Sequence, residues 1–552
     1  MIGSLARGRR LVAGTFPCAG HPVELGEDSS LWTLPLPTPE SQAELHGFGW
    51  LDDLAAVGDR AARDRARAWT TDWIARYGAG RGPGWTPELT GRRLIRWISH
   101  GAFLMDGLDS DLSTAGFRAL GRQVAFLSRR WKAAPGGLPR FEALVGLTCA
   151  ALALKGMERF IGPAIDGLSR ECANGIDRQG GIPTRNPEDL LEVFTLLTWA
   201  AAVLIETNRT LPEAHMIAMR HIAPLLRAVR HADGNLARFH GGGCGREGWL
   251  DHALATSGVR QGPGEGLSMG YFRLAGGRTS IVVDASAPPG GPASGNAHAS
   301  TLAFELTSGR RALIVNCGSG AVFGADWRRA ARATPSHSTL GIDGMSSSRF
   351  GSGAARAGRG GELLSDQPSV VTFSSQRYVE GIIYRGAHDG YRKTHGLTHE
   401  RTLCLSTDGR VLEGEDALTI QNERDMRHFD KANDRAGLQG IACAIRFHLH
   451  PDVNAVLDAE DGTVPMALKS GEVWVFRHDG AAELSLEPSV YLESNRPGPL
   501  KTMQIILSAR IEDYSNRLTW SLAKTEGTPV ALRDLKSAGR VSAPADEGMP
   551  TG

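Results

Sequence analysis

The hydrophobic periodicity of this chain changes once, near residue 240, and that change limits the folds open to it. Residues 50–231 carry helical spacing: Ala218, Ile222, Leu225, Leu226 and Val229 fall on one face at intervals of three and four. Asn186-Pro187-Glu188-Asp189 reads as a helix start, with Asn as cap, Pro at the first helical position and acids in the first turn. Further helices are expected near 52–77, 87–105, 112–131 and 141–157, with short Gly/Pro breaks that favour antiparallel hairpins. Two glycine clusters, Gly241-Gly242-Gly243 and Gly262-Pro263-Gly264, then flank a segment with no clear period. Beyond them short strands predominate: a hairpin over 271–283, then runs near 301–306, 311–315, 370–373, 402–405, 411–413, 442–449, 472–477 and 503–509. Strands this short, separated by Gly and Asp turns, predict a β-sandwich. The expected division is an N-terminal extension (1–44), a helical domain (45–245), a glycine-rich linker (246–268), a β-sandwich (269–536) and a disordered tail (537–552). The Gly/Arg/Ala-rich stretch 351–361 reads as a mobile loop.

A length of 552 residues asks for more than one core. The 61 Lys and Arg are matched by 60 Asp and Glu, which excludes a bulk nucleic-acid binder but permits a local basic groove for an anionic substrate. The seven cysteines (18, 149, 172, 244, 317, 404 and 443) are odd in number and form no Cys-x-x-Cys, so reduced thiols are expected. No apolar run reaches about 18 residues, so no membrane span is expected, and the first 20 residues show no secretory leader.

The densest polar segment runs over 284–344. It holds Gly295-Asn296-Ala297-His298-Ala299-Ser300, then Asn316-Cys317-Gly318, then Ser336-His337-Ser338. His298, Asn316 and His337 each fall at a strand end and could converge on one cation; imidazole suits zinc, and a carboxylate would suit it better than Asn316 does. The alternative is that both histidines are hydrogen-bonded core residues.

The order His298-Ala-Ser-Thr-Leu, Leu313-Ile-Val-Asn316, Ser336-His337-Ser-Thr-Leu-Gly-Ile-Asp343-Gly344, His388-Asp389-Gly390-Tyr391, His399-Glu400-Arg401 and Arg446-Phe447-His448-Leu449-His450-Pro451 resembles the heparinase II/III family. Leu45-His46-Gly47-Phe48, Gly91-Arg92-Arg93-Leu94-Ile95 and Gly180-Gly181-Ile182-Pro183-Thr184-Arg185-Asn186-Pro187 resemble its bacterial members. The resemblance implies an (α/α) toroid followed by an antiparallel β-sandwich, and a lyase that cleaves a uronic-acid glycan by β-elimination. Such a reaction needs a group that quenches the uronate charge, a base for the C5 proton and an acid for the leaving oxygen. By resemblance the metal site, mainly structural, is His298, Asn316 and His337, with one anionic ligand lost, so zinc should bind weakly or not at all. The family's catalytic His is Asn296 here. Asn186, helped by Arg185, is the candidate for charge neutralisation, although a helix cap accounts for it equally. Phe239 stands where a catalytic Tyr is expected, which leaves His240 as the proton carrier or as a plain loop residue.

Arg238 and His388 complete the expected substrate contacts. His448 and His450 are expected to pack within the sandwich. The expected partner is an acidic polysaccharide or oligosaccharide; oligomeric state is open, a homodimer included. Absence of a visible leader points to the cytoplasm, while family resemblance points to the periplasm or envelope. Two other functions remain: a glycan-binding or envelope-assembly protein that has kept the scaffold without the chemistry, favoured by Asn296 and the missing Tyr, and a glycosidase using Glu188, Asp189 or Glu192.

Overall fold

The computed structural model describes residues 2–18, 21–25, 30–34, 36, 38–107, 110–351, 362–494 and 496–525. Among the described residues twelve α-helices precede the sandwich: α1 (Leu5–Val12), α2 (Pro39–His46), α3 (Gly49–Val57), α4 (Arg60–Tyr77), α5 (Pro87–Ser99), α6 (Gly101–Met105), α7 (Ser110–Arg130), α8 (Leu138–Ala153), α9 (Ile161–Gly175), α10 (Pro187–Glu206), α11 (Glu213–Ala228) and α12 (Trp249–Ser257). Several begin with the same local device. Thr38, Thr86 and Asn186 cap α2, α5 and α10 through their side-chain oxygens, each followed by Pro and Glu, as the Asn-Pro-Glu-Asp reading expects. The helices α5 and α8 cross at two glycines. A Cβ on Gly91 would sit 2.1 Å from the Glu142 carbonyl oxygen, and one on Gly146 would sit 2.4 Å from Gly91 Cα. At that crossing α5 and α8 pack backbone against backbone, which brings Arg92 beside Glu142.

The first 44 residues are more than an extension. Gly3 and Gly8 lie against the α3 backbone, the Ser4 N–H donates to Asp53 Oδ1 at 2.8 Å, and Arg7 Nε donates to Asp53 Oδ2 at 3.0 Å. The segment read as a linker contains α12, whose Trp249 and Leu250 join the helical core. The helix α9, unmarked in the sequence reading, completes the packing of α8 and α11.

Two eight-stranded antiparallel sheets form the sandwich. One runs in the order Val371–Arg377, Gly381–Tyr391, Leu397–Ser406, Val411–Thr419, Ser515–Lys524, Val473–His478, Val464–Ala467, Asn454–Ala455. The other runs Glu483–Tyr491, Leu500–Ile511, Ile441–Leu449, Arg311–Val315, Phe304–Ser308, Thr279–Asp284, Tyr271–Gly276, with Leu340–Ile342 beside Ile441–Leu449. Much of its core is apolar, with Phe304, Phe447 and Phe476 packed around Trp520 between the sheets. The helical core reaches into this half through Tyr271, Val282 and Ala303, so the halves share buried surface. The tail 537–552 and, save Gly351, the loop 351–361 lie outside the described residues.

Candidate functional site

The first turns of α5, α8 and α10 converge at one end of the helical half, and the loop through Gly241, Gly242 and Gly243 runs between them and the sandwich. A Cβ on Gly242 would lie 2.3 Å from Asn186 Oδ1, one on Gly241 3.2 Å from Asn296 Cβ, and one on Gly243 3.2 Å from Glu188 Oε2. Glycine is required at Gly242 for that close approach. The glycine run therefore forms the floor of a cleft with a helical wall on one side and Asn296 on the other.

On the helical wall, Glu188 Oε2 accepts the Gly243 N–H at 2.7 Å and Asp189 Oδ2 accepts the Thr184 hydroxyl at 3.1 Å. Glu142 accepts from Arg92 Nε through Oε1, while its Oε2 has no hydrogen-bond partner among the described residues. Burial pushes the Glu142 carboxyl up to about 7, Arg92 pulling against it and Glu192 adding to it. Burial, then Glu192, pushes Asp189 up to about 7 as well. Glu188 is raised for the same two reasons. These acids sit where helix N-termini favour negative charge, but desolvation outweighs that benefit. The sequence reading offered Glu188, Asp189 and Glu192 and missed Glu142 and Arg92. A signal was available, since Glu142 is the one acid in α8, whose other residues apart from Arg140 and Thr148 are apolar or glycine.

Across the cleft, Asn296 is exposed and accepts from Arg328 through Oδ1. Arg328 lies on a short helix, α13 (Ala325–Ala331), and also donates to Glu40 Oε1 at 3.0 Å, which ties the sandwich to α2.

The other expected site residues are placed differently. Asn186 is a cap: its Oδ1 accepts the Glu188 N–H at 2.9 Å and the Asp189 N–H at 3.3 Å. Arg185 is not available to a substrate. Its five N–H donors meet Met269 O (3.0 Å), Ser286 O (3.3 Å), Ala287 O (2.6 Å), Gly270 O (3.1 Å) and Asp284 Oδ1 (2.5 Å), and its guanidinium lies 4.9 Å from the Tyr271 ring centroid. It rivets the two halves together. Arg238 is a second rivet, donating from Nη2 to Cys317 O (2.9 Å) and Leu492 O (3.0 Å) and stacking 4.0 Å over Tyr491.

His240 is 1% exposed. Its Nδ1 accepts the His298 N–H at 3.2 Å, which assigns the ring proton to Nε2, 3.5 Å from Asp284 Oδ2. The free lone pair a base needs is thus occupied, and burial, then Arg185, holds the pKa well below the ordinary histidine value.

His388, expected to contact substrate, sits in the strand Gly381–Tyr391, buried between the sheets. Its Nε2 meets His399 Nδ1 at 3.2 Å; His399 Nε2 meets Asp416 Oδ1 at 2.7 Å, and Arg401 and Trp520 donate to the same carboxylate. It is a core residue.

The expected cation ligands are also engaged with the protein. His337 Nδ1 donates to Ala333 O at 2.8 Å, so its Nε2 accepts from His298 Nδ1 at 3.0 Å. Asn316 Oδ1 accepts the Ser338 N–H at 3.0 Å, and its amide donates to Glu305 at 3.4 Å. The lone pair of His337 Nε2 that zinc would require is taken, Asn316 Oδ1 already accepts from Ser338, and the carboxylate beside them, Glu305, is held by Asn316 and the Arg238 N–H. These residues do not fit a zinc ion as arranged. Among the described residues no group of three or more His, Cys, Asp or Glu is placed to hold a metal. His448 is buried on the sandwich strand Ile441–Leu449, with Nδ1 on Ser489 Oγ at 2.8 Å and Nε2 on Pro335 O at 2.9 Å, while the His450 ring lies 5.0 Å from that of Tyr491.

A helical toroid joined to an antiparallel sandwich is the architecture of polysaccharide lyases. A crystal structure of heparinase III superposes with a TM-score of 0.73 at 14% identity, over 96% of this chain and 86% of that one. The Streptomyces coelicolor A3 chondroitin AC lyase, solved with chondroitin sulphate, gives 0.51 at 11% identity, over 94% and 78%. In sequence, residues 259–521 match the heparinase II/III-like C-terminal family. FtsZ-localized protein C of Caulobacter vibrioides is 31% identical over 533 residues, 95% of this chain and 88% of that protein. The chain belongs to the heparinase II/III family. No helix among the described residues is long and apolar enough to cross a membrane.

Proposed function

We propose that this protein holds a glycan in the cleft between toroid and sandwich, on a lyase scaffold that lacks the imidazole and phenol groups its relatives' architecture is built to carry. One observation carries the reading: His240, the single residue beside Phe239 able to move a proton, is buried with its lone pair occupied. Asn296 carries no titratable proton, and Arg185 has no donor left for a uronate. The test pairs two measurements on one panel of neutral, acidic and amino-substituted oligosaccharides. Calorimetry is expected to detect binding, and no unsaturated-uronate absorbance should develop. Turnover that disappears in His240→Ala would overturn it.

A second reading, β-elimination of a uronic-acid glycan, is supported by family membership and by Asp189 and Glu142, whose pKa values near 7 suit acid–base work at neutral pH. It requires absorbance growth that Asp189→Asn abolishes. Similarity to an FtsZ-localized protein supports placing this chain at the division site of its cell. A fluorescent fusion spread evenly through dividing cells would remove that assignment.

A further inference from the structure

We propose that the sandwich carries a self-pairing edge: the strand Val371–Arg377 of one copy adds antiparallel to the same strand of a second copy. Two sheets then join into one across a twofold axis at Ser374. This surface is separate from the cleft and independent of what the cleft binds. The strand lies at the end of its sheet and pairs only with Gly381–Tyr391. The Asp389 N–H donates to Val370 O at 3.2 Å and the Tyr378 N–H donates to Gly381 O at 2.8 Å. With no register shift in between, the even-numbered residues turn their backbone groups toward that neighbour. The N–H and C=O groups of Val371, Phe373, Ser375 and Arg377 therefore face outward, and no described residue hydrogen-bonds to them.

Four strands end the two large sheets, and three of them are closed to pairing. Asn454–Ala455 is two residues long, Glu483–Tyr491 carries Pro488 with Glu483 and Glu487, and Tyr271–Gly276 packs on the helical half through Tyr271 and Arg273. Val371–Arg377 has no Pro, no Lys and no bulge, and its single charge stands at its last residue. The occupant follows from the register. A pair that uses the outward groups must set odd residues opposite odd ones. Full overlap sets Val371 opposite Arg377, Phe373 opposite Ser375 and Ser374 opposite itself, so no like charges meet. The same register brings Val370 of one copy opposite Tyr378 of the other, and these are 51% and 42% exposed. Odd positions sit opposite core-facing Tyr384 and His388, which leaves Val370 and Tyr378 on the outer face with Thr372, Ser374 and Gln376. A second copy covers both apolar ends at once by symmetry, which an arbitrary peptide does not.

Sedimentation velocity on the full chain tests this. Seven residues a side make a small interface, so a reversible dimer is expected with a dissociation constant on the order of 10 µM, read between about 1 and about 200 µM. Ser375→Pro removes an outward N–H and leaves intact the hairpin ladder, which uses the even residues. It should weaken the dimer at least about tenfold. Ser374→Cys keeps the strand and reads the register directly. At the axis the two residues form a non-hydrogen-bonded pair with Cα atoms about 4.5 Å apart, so mild oxidation should link the copies. Thr372→Cys, displaced from the axis, should cross-link no more than the parent. A dimer unchanged in Ser375→Pro, or Thr372→Cys linking as fully as Ser374→Cys, overturns the proposal. A chain monomeric at the highest concentration overturns it too, and leaves this edge to a strand from another protein.

Discussion

In the sandwich, Asp416 lies fully enclosed between Arg401, His399 and Trp520, and Asp284 between Arg185 and the Ser300 hydroxyl. In the helical wall, Glu142 has one oxygen on Arg92 and one on nothing, and Asp189 holds a single hydroxyl while facing Glu192. Burial is comparable in kind, but its outcome is opposite. Burial works against the Asp416 charge, yet Arg401 and then His399 outweigh it and hold that carboxyl below the ordinary range. Glu142 and Asp189 rise to about 7. His298, His337, His388 and His448 are buried, bonded to other histidines or to carbonyls, and held below the ordinary imidazole range by burial. The buried carboxyls raised to about 7 therefore lie on the helical side of the cleft. The sandwich side is scaffold, the reverse of what motif positions suggest.

The sharpest way to break this comparison is Asp416→Asn. It leaves the Arg401 guanidinium buried without its anion, and the expected loss is about 3–5 kcal/mol, measured by denaturant unfolding at pH 7. Because Asp416 is depressed when folded, its contribution is present above the unfolded carboxyl pKa and fades as pH falls through the folded one. A loss under about 1 kcal/mol at pH 7 would mean that the sandwich does not depend on that pairing.

The second expectation has the opposite sign. Asp189 folded titrates at about 7, well above an unfolded aspartate, so the folded state binds a proton that the unfolded chain releases. Stability from this group is full below the unfolded pKa and declines as pH rises to about 7. Asp189→Asn removes that decline, and Asn still accepts from the Thr184 hydroxyl. Relative to the parent, the variant should gain about 2–3 kcal/mol between pH 5 and pH 8, read as the difference in Tm at each pH, against about 0.5 kcal/mol lost at the helix N-terminus. A difference that does not change with pH would remove the contrast between the walls.

Features set by neighbours in sequence were legible before the structure. The helix-to-sheet switch, the α10 start at Asn186 and Pro187, and the hairpin of Tyr271–Gly276 with Thr279–Asp284 all follow from residues a few positions apart. What was not legible depends on distant partners. Nothing near Arg185 in sequence says that carbonyls 84 to 102 residues away take its donors. Nothing near His388 says that its strand faces Asp416. Family position put Asn186, His240, Asn296 and His298 in one neighbourhood, and the glycine run does bring Asn186 and Asn296 to one cleft. Position could not say which of their lone pairs were already used. Glu142 was passed over because an acid inside a helix looks ordinary until three helix starts are seen to meet around it.

The smallest effect separates two roles for Asn186. As a cap its Oδ1 is the working atom, and aspartate caps about as well as asparagine, so Asn186→Asp should cost within about 1 kcal/mol, the new charge beside Glu188 included. Asn186→Ala removes the cap and should cost about 1 kcal/mol by the same unfolding measurement. A residue that neutralises a uronate behaves otherwise: exchanging its amide for a carboxylate would replace a donor with a like charge, and affinity for a galacturonate oligomer would fall by at least about tenfold. The cap assignment requires that this affinity falls by no more than about threefold, the effect of one added charge nearby. A steep loss of uronate binding in Asn186→Asp, with stability intact, would return Asn186 to the substrate and make the helical wall less hostile to anions than its carboxylates imply.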